Sequence, residues 1–339
     1  MKTKGKTRFA ALLLAAALLL GGCGSEPAGE EGNGTSSHTA ENPESASVAV
    51  TSVFGGEEVE ITYDKAPERV VSLAGFATEM LLALGLEDKI VGYAWQDNPV
   101  LDKYQEAFEK LTPLCDPGMD PGEEAVLAAE PDLVLSWASW SEDDYFNREN
   151  LEKNGIQAYG FHCERTENAS LEDVYTDFLN LGRIFRVEDR AQALVDEMRS
   201  RVDAVWNRVK DQEPVSVFVC DVGSSEEQAF TAGGGLPGDL IAKAGGQNII
   251  QDVNTNFTRV SWEVIAQANP DWIVIDYYTN AEDVEGTIQF LKTQPALKEL
   301  DAVKNERFLS VGLTDISAGE RCDDTVELLA SCFHPEDAS

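Results

Sequence analysis

The chain is 339 residues long and carries 26 Lys and Arg against 61 Asp and Glu, a formal charge of −35. A surface this acidic lacks the basic footprint that nucleic acid and anionic lipid headgroups require, which excludes both as direct partners. It favours solubility and basic partners and is silent on the fold.

Lys2, Lys4, Lys6 and Arg8 make a basic start, and Phe9 to Leu20 follow as an unbroken apolar run of 12 residues. A helix needs about 20 apolar residues to cross a bilayer. This run has instead the length of the apolar part of a signal peptide. It ends in Leu20-Gly21-Gly22-Cys23, which resembles a bacterial lipobox. The resemblance implies cleavage before Cys23 and lipid on its thiol, with the protein anchored on the extracytoplasmic face of a membrane. An ordinary signal peptide with an incidental cysteine is the alternative. One acyl chain holds only marginally, and lipobox processing supplies at least two. Removing a leader at residues 1–22 takes four bases and no acids, leaving 22 basic against 61 acidic residues, a net charge of −39.

Residues 23–47 are rich in Gly, Ser, Glu, Asn and Thr without apolar period and are read as a flexible tether, with His38 incidental. A hairpin is expected next, its arms Val48-Ala49-Val50 and Val59-Glu60-Ile61 flanking Gly55-Gly56. Strands then alternate with helical patterns. Val70 to Leu73, Ile90 to Tyr93, Leu133 to Leu135 and Ile156 to Tyr159 read as strands, while Thr78 to Leu84 and Glu123 to Ala129 read as helices. That rhythm predicts a parallel sheet covered on both faces. Glu188 to Lys210 is one long helical stretch without Gly or Pro, its apolar residues recurring at three- and four-residue steps from Ala191 to Trp206. A second strand–helix set begins at Val215, with strands at Val215–Cys220, Trp272–Ile275 and Phe308–Val311. The expected class is α/β: a lobe at 48–187, a connecting helix at 188–210 and a second lobe at 211–339.

The two lobes echo each other. Glu124, six residues and Pro131-Asp132 lead into Leu133-Val134-Leu135; Glu263, six residues and Pro270-Asp271 lead into Trp272-Ile273-Val274-Ile275. Each is a helix stopped before proline with a strand just after it.

Of six cysteines, Cys115, Cys163, Cys220, Cys322 and Cys332 remain besides Cys23. A domain of this size needs no disulfide framework. Cys220 reads as a core thiol. Cys322 and Cys332 lie too far apart along one helix to bridge, at about 1.5 Å rise per residue. A Cys115–Cys163 pair is left open.

These features together resemble the family of ABC-transporter solute-binding proteins for cobalamin, iron–siderophore and haem, over about residues 48 to 335. The marks are Ala66-Pro67-Glu68-Arg69-Val70-Val71-Ser72-Leu73, Ala77 to Gly85, Glu130-Pro131-Asp132-Leu133-Val134, Leu151 to Ile156, Gly238 to Ile249, and Ala268-Asn269-Pro270-Asp271. The resemblance implies two lobes joined by a rigid helix, with ligand in the cleft between them at the carboxyl ends of the strands. It also implies docking on basic residues of two permease subunits through one acidic residue per lobe. By spacing these are Glu124, with Glu123 adjacent as a substitute, and Glu263. A first-turn acid favoured by the helix dipole is the alternative for both.

Loops after the strands supply the ligand-binding candidates. They are Phe76, Thr78, Trp95, Gln96, Trp137 and Trp140 in the first lobe, then Phe230 with Gly233-Gly234-Gly235, Phe257, Arg259, Tyr277, Tyr278, Asp315 and Arg321 in the second. Aromatic loop tips suit a large, flat, partly apolar ligand. Trp95, Trp140 and Tyr278 are favoured, and Arg321 can instead pair locally with Asp323 or Asp324. A ferric siderophore is expected, on family frequency, with a corrinoid or haem as alternatives and a sensory lipoprotein as the non-transport reading. His38, His162 and His334 are too few and too scattered for a bare-metal site. No P-loop lysine follows the glycine run, and neither a dinucleotide fingerprint nor a G-x-S-x-G elbow occurs. An enzyme, an intrinsic cofactor and a metal centre are therefore not expected, and a monomer is.

Overall fold

The computed structural model describes residues 47–335, apart from 118, 138–145, 166, 280 and 281. The leader, Cys23, the tether and Trp140 lie outside the described residues.

Strands β1 (Val48–Phe54) and β2 (Glu57–Tyr63) form the expected hairpin, with longer arms. The turn needs two successive left-handed residues, and Gly55 and Gly56 supply them with φ of 57° and 85°. The first lobe then contains β3 (Val70–Ser72), α1 (Gly75–Ala83), β4 (Ile90–Tyr93), α2 (Gln105–Phe108), α3 (Glu123–Ala128), β5 (Leu133–Ser136), α4 (Arg148–Lys153), β6 (Gln157–Gly160) and α5 (Leu171–Phe185). Its sheet has four parallel strands in the order β4-β3-β5-β6.

The long helix α6 (Glu188–Val209) follows. The second lobe contains β7 (Val215–Asp221), β8 (Gln228–Ala232), α7 (Leu236–Lys243), β9 (Gly246–Asn248), β10 (Phe257–Ser261), α8 (Trp262–Ala268), β11 (Trp272–Tyr277), α9 (Glu282–Thr293), α10 (Asp301–Lys304), β12 (Phe308–Gly312), α11 (Leu313–Ile316) and α12 (Arg321–Phe333). Its main sheet is again four-stranded and parallel, in the order β12-β11-β7-β9. Strands β8 and β10 pair separately and antiparallel, an element the residue pattern did not announce.

Because side chains alternate across a strand, each sheet feeds two cores. Val70, Leu133 and Leu135 join Val217, Val219 and Val274 in one continuous core that runs through α5, α6 and α12 from lobe to lobe. Val71 and Val134 face a core private to the first lobe, and Phe218, Cys220, Ile273 and Ile275 one private to the second. The lobes thus share a packed spine along the buried stripe Ala191, Val195, Met198, Val202, Val205 and Val209 of α6.

The echo between the lobes has a physical cause. Asp132 accepts from the backbone N–H groups of Glu68 and Arg69, tying the start of β5 to the start of β3. Asp271 accepts from the N–H and hydroxyl of Ser216, tying β11 to β7 in the same way. Glu130 and Asn269, each just before the proline, both sit in the left-handed region at φ of 47° and 46°. All five cysteines among the described residues are free, so a Cys115–Cys163 pair is not formed. The Cys163 thiol lies in the shared core, and the Cys115 thiol donates to the Met119 carbonyl at 2.9 Å.

Candidate functional site

Two cavities open where the lobes meet. The first, about 190 Å³, is lined by Trp137 and Glu164 from the first lobe and by Phe230, Phe257, Tyr278, Ile316 and neighbours from the second. The second, about 570 Å³, is lined by Tyr93 at the end of β4 and residues 94–99 after it, by Phe108 and by residues 115–117, with Tyr278 and Thr279 closing it from the other lobe. Tyr278 is therefore the wall common to both.

Glu164 is placed from below. The carboxylate of Asp177, on α5, accepts from the Tyr159 hydroxyl at 2.7 Å, the His162 N–H at 2.8 Å and the Cys163 N–H at 3.0 Å. These bonds clamp the turn His162–Glu164 after β6 and aim Glu164 at the first cavity. Desolvation, reinforced by the charge of Asp177, pushes the Glu164 carboxyl up to about 8. At neutral pH it is mostly protonated, and the first cavity is close to neutral.

Tyr278 is placed by Asp221, whose Oδ2 accepts from its hydroxyl at 2.7 Å. Asp221 stands abreast of Asp276 on the paired strands β7 and β11. Both are fully buried, and the two carboxyl oxygens of Asp276 have no hydrogen-bond partner among the described residues. Burial, then the neighbouring charge of Asp221, raise the Asp276 carboxyl well above its ordinary range. In so dry a place beside another carboxyl, the protonated form of Asp276 is favoured.

Trp95 adopts a left-handed backbone, φ 52°, which is rare for a bulky residue. Its indole N–H donates to Asp120 Oδ1 at 2.9 Å. Asp97, two residues on, has its carboxyl pushed up to about 6 by desolvation, so it is ionised at neutral pH.

Of the sequence candidates, Trp137, Phe230, Phe257 and Tyr278 come together around the first cavity, and Trp95, Gln96 and Tyr278 around the second. Several others do not. Phe76 and Thr78 are buried on α1, the Phe76 ring wedged edge-on against Trp137 and Phe161. Tyr277 packs on the private core of the second lobe, and its carbonyl accepts from Asn98 Nδ2. Arg259 is exposed, its guanidinium 4.8 Å from the centre of the Phe230 ring. Arg321 pairs neither with Asp323 nor with Asp324, which Arg201 takes. It pairs with Glu79 of the other lobe and with Asp315. The glycine run approaches backbone rather than ligand: a side chain at Gly233 would strike the carbonyls of Thr255 and Val253. Residue-level reading missed Glu164, Asn256 and Asp97. Glu164 and Asp97 follow strands β6 and β4, which is the signal that marks them.

Glu124 and Glu263 lie exposed in the first turns of α3 and α8. The amide of Glu263 itself and the Ser261 hydroxyl hold the Glu263 carboxyl below its ordinary range. His162 and His334 meet the carbonyls of Thr51 and Gly245. Among the described residues no three His, Cys, Asp or Glu gather to hold a metal ion, and no helix is long and apolar enough to cross a membrane.

A family model described as periplasmic binding protein matches residues 70–312. A substrate-binding lipoprotein of an ABC transporter, the uncharacterised YvrC of Bacillus subtilis (strain 168), is 27% identical over 332 residues, 97% of this chain and 96% of that one. A vitamin B12-binding protein of Yersinia pestis (strain Pestoides F) is 26% identical over 214 residues, 62% of this chain and 70% of its own. The crystal structure of a periplasmic binding protein from Veillonella parvula dsm 2008 superposes with a TM-score of 0.79 at 30% identity, covering 86% of this chain and 99% of that one.

Proposed function

The chain belongs to the periplasmic binding protein family, and from that premise we propose that it captures a metal chelate, a ferric siderophore, and delivers it to the permease of an ABC importer. The coarser part, a solute-binding component of an ABC transporter, is shared with its full-length relative. Lipid on Cys23 holds the protein at the extracytoplasmic face, and the tether keeps it near the permease at high effective concentration. The spine formed by α6 limits opening to small movements of the lobes.

The observation that carries the choice of chelate is the lining of the first cavity. Four aromatic rings, from Trp137, Phe230, Phe257 and Tyr278, surround one mostly protonated carboxyl, and no base is among the lining residues. Chelates rich in carboxylate or catecholate, and the propionates of haem, require bases to balance them. An uncharged or cationic ferric hydroxamate requires none. A corrinoid is the second reading, favoured by the vitamin B12-binding relative and by the uncharged amides on its rim.

Titrating the purified mature chain with a ferric hydroxamate, a ferric catecholate, cobalamin and haem, followed by tryptophan quenching, tests the proposal. Tight binding of the hydroxamate alone supports it. Preference for the catecholate or haem overturns the choice of chelate, and binding of none overturns the transport reading.

A further inference from the structure

The second cavity differs from the first in charge and in hydrogen-bonding sense. Its nitrogen donors are already committed. The Trp95 indole donates to Asp120, Gln96 Nε2 to the Asn98 carbonyl at 2.6 Å, and Asn98 Nδ2 to the Tyr277 carbonyl at 3.1 Å. The Tyr278 hydroxyl is committed to Asp221. Its acceptors are only partly so, since Asn98 Oδ1 takes the Thr314 N–H at 2.9 Å. Asp97 and Asp116 line the same space, and neither is in an ion pair among the described residues. The rings of Tyr93, Trp95, Phe108 and Tyr278 complete the wall.

The nearby bases are spoken for. Lys103 pairs with Glu320 and Lys110 with Glu106. The undescribed internal residues add none, since 118, 138–145, 166, 280 and 281 contain no Lys, Arg or His. A cavity of two carboxylates outside any ion pair among the described residues and of aromatic faces is complementary to a group that brings donors and positive charge. Aromatic rings attract a cation through their negative faces, most strongly where water is displaced.

We propose that this second cavity is a subsite for a protonated amine, carried by the chelate whose metal-bearing part occupies the first cavity. The inference rests on the chelate-capture reading above and adds the charge class of the cargo. Tyr278, shared by both cavities, is the boundary between the two parts of the ligand. Thr279 donates its N–H to the Asp97 carbonyl, so the second lobe closes the edge of the subsite directly.

The test uses a linear ferric trihydroxamate ending in a primary amine and the same chelate with that amine acetylated. Both are titrated into the full mature chain in 0.15 M salt, about one Debye length of 8 Å, so that the general acidity of the protein is screened. The amine form binds about tenfold more tightly to the unaltered chain. In Asp97→Asn that preference, the ratio of the two affinities measured on the same protein, shrinks to within about twofold. A control before the start of β7, the exposed Glu213→Gln, keeps the full preference, and thermal melting confirms that each variant is folded. Equal affinity of the unaltered chain for the two forms, or a preference that survives Asp97→Asn, overturns the subsite and leaves the transport reading standing. Failure of both forms to bind overturns the hydroxamate reading, and the subsite falls with it.

Discussion

Arg321, at the start of α12, and Glu79, on α1, stand 242 residues apart in the chain and meet as a buried, two-pronged ion pair between the lobes. Arg321 Nε donates to Glu79 Oε2 at 2.7 Å and its Nη2 to Oε1 at 2.5 Å, with 1% of the Glu79 side chain exposed. The same guanidinium donates to Asp315 at 2.9 Å and to the Pro99 carbonyl at 2.6 Å, while Glu79 also accepts from the Leu101 N–H. Burial opposes this charge, yet the two carboxylates hold the Arg321 guanidinium firmly protonated.

Removing one partner from such a pair leaves the other charge buried and alone. Glu79→Leu should lower unfolding stability by about 3–5 kcal/mol. Glu79→Leu with Arg321→Met should cost clearly less than Glu79→Leu alone, because the charge left unpaired is then Asp315, whose side chain is 31% exposed, and not a buried guanidinium. Urea denaturation of the three proteins measures both. A single substitution costing under about 1 kcal/mol would place this pair with exposed ones instead.

The Asp221–Asp276 pair predicts a pH dependence of stability. Asp276 keeps its proton in the folded chain at pH values where the unfolded chain would release it. Its contribution is therefore complete below the unfolded value near pH 4 and is lost as pH rises toward the higher folded value. Asp276→Asn removes the titration and gives Asp221 a donor amide. The stability gap between Asp276→Asn and the unaltered chain should widen with pH by up to about 1.4 kcal/mol per unit from pH 5 upward. A gap that stays constant from pH 5 to 8 would show that Asp276 does not titrate differently in the two states.

Aromatic residues that line a cavity and those that fill the core should separate in experiment. Phe76→Ala removes a fully packed ring and should cost about 3–5 kcal/mol of stability. Trp137→Ala and Phe257→Ala remove half-buried rings at the first cavity. Each should weaken chelate binding by about tenfold or more, as expected of aromatic anchors, with a smaller loss of stability. Calorimetric titration beside urea denaturation reads the two effects. Trp137→Ala and Phe257→Ala that bind normally would remove the first cavity from the site.

Phe76 also shows where residue-level reading stops. The parallel strands were legible because Val70-Val71 and Leu133-Val134-Leu135 are short apolar runs bounded by turn signals, and a sheet covered on both faces requires such runs. The long helix was legible from its unbroken three- and four-residue period. Strands β8 and β10 were not, since Gln228 to Ala232 and Phe257 to Ser261 mix polar and apolar residues and pair across an intervening helix and strand. Within the site, the strand-end rule located the loops but not the direction of each side chain. Phe76 follows β3 as a loop residue would, yet α1 begins at Gly75 and turns the ring inward. Arg321 looked free to meet an anion because its partner Glu79 lies in the other lobe, a contact no local pattern carries.

The last prediction concerns the two exposed carboxylates, Glu124 and Glu263. They occupy matching places in the repeated helix–proline–strand unit, one per lobe, so a partner with two basic subunits could engage both at once. Ser261 and its own amide keep Glu263 ionised, as an ion-pairing role demands. Rim charges of this kind govern orientation and association rate more than the packing of the protein that carries them. Glu124→Arg with Glu263→Arg should therefore leave chelate affinity and thermal stability unchanged. Stimulation of the permease's ATPase activity by the loaded protein should fall by about tenfold or more, with each single reversal giving a partial loss. Full stimulation by the double variant would assign both carboxylates to the helix dipole alone, where an acid in the first turn is favourable without any partner.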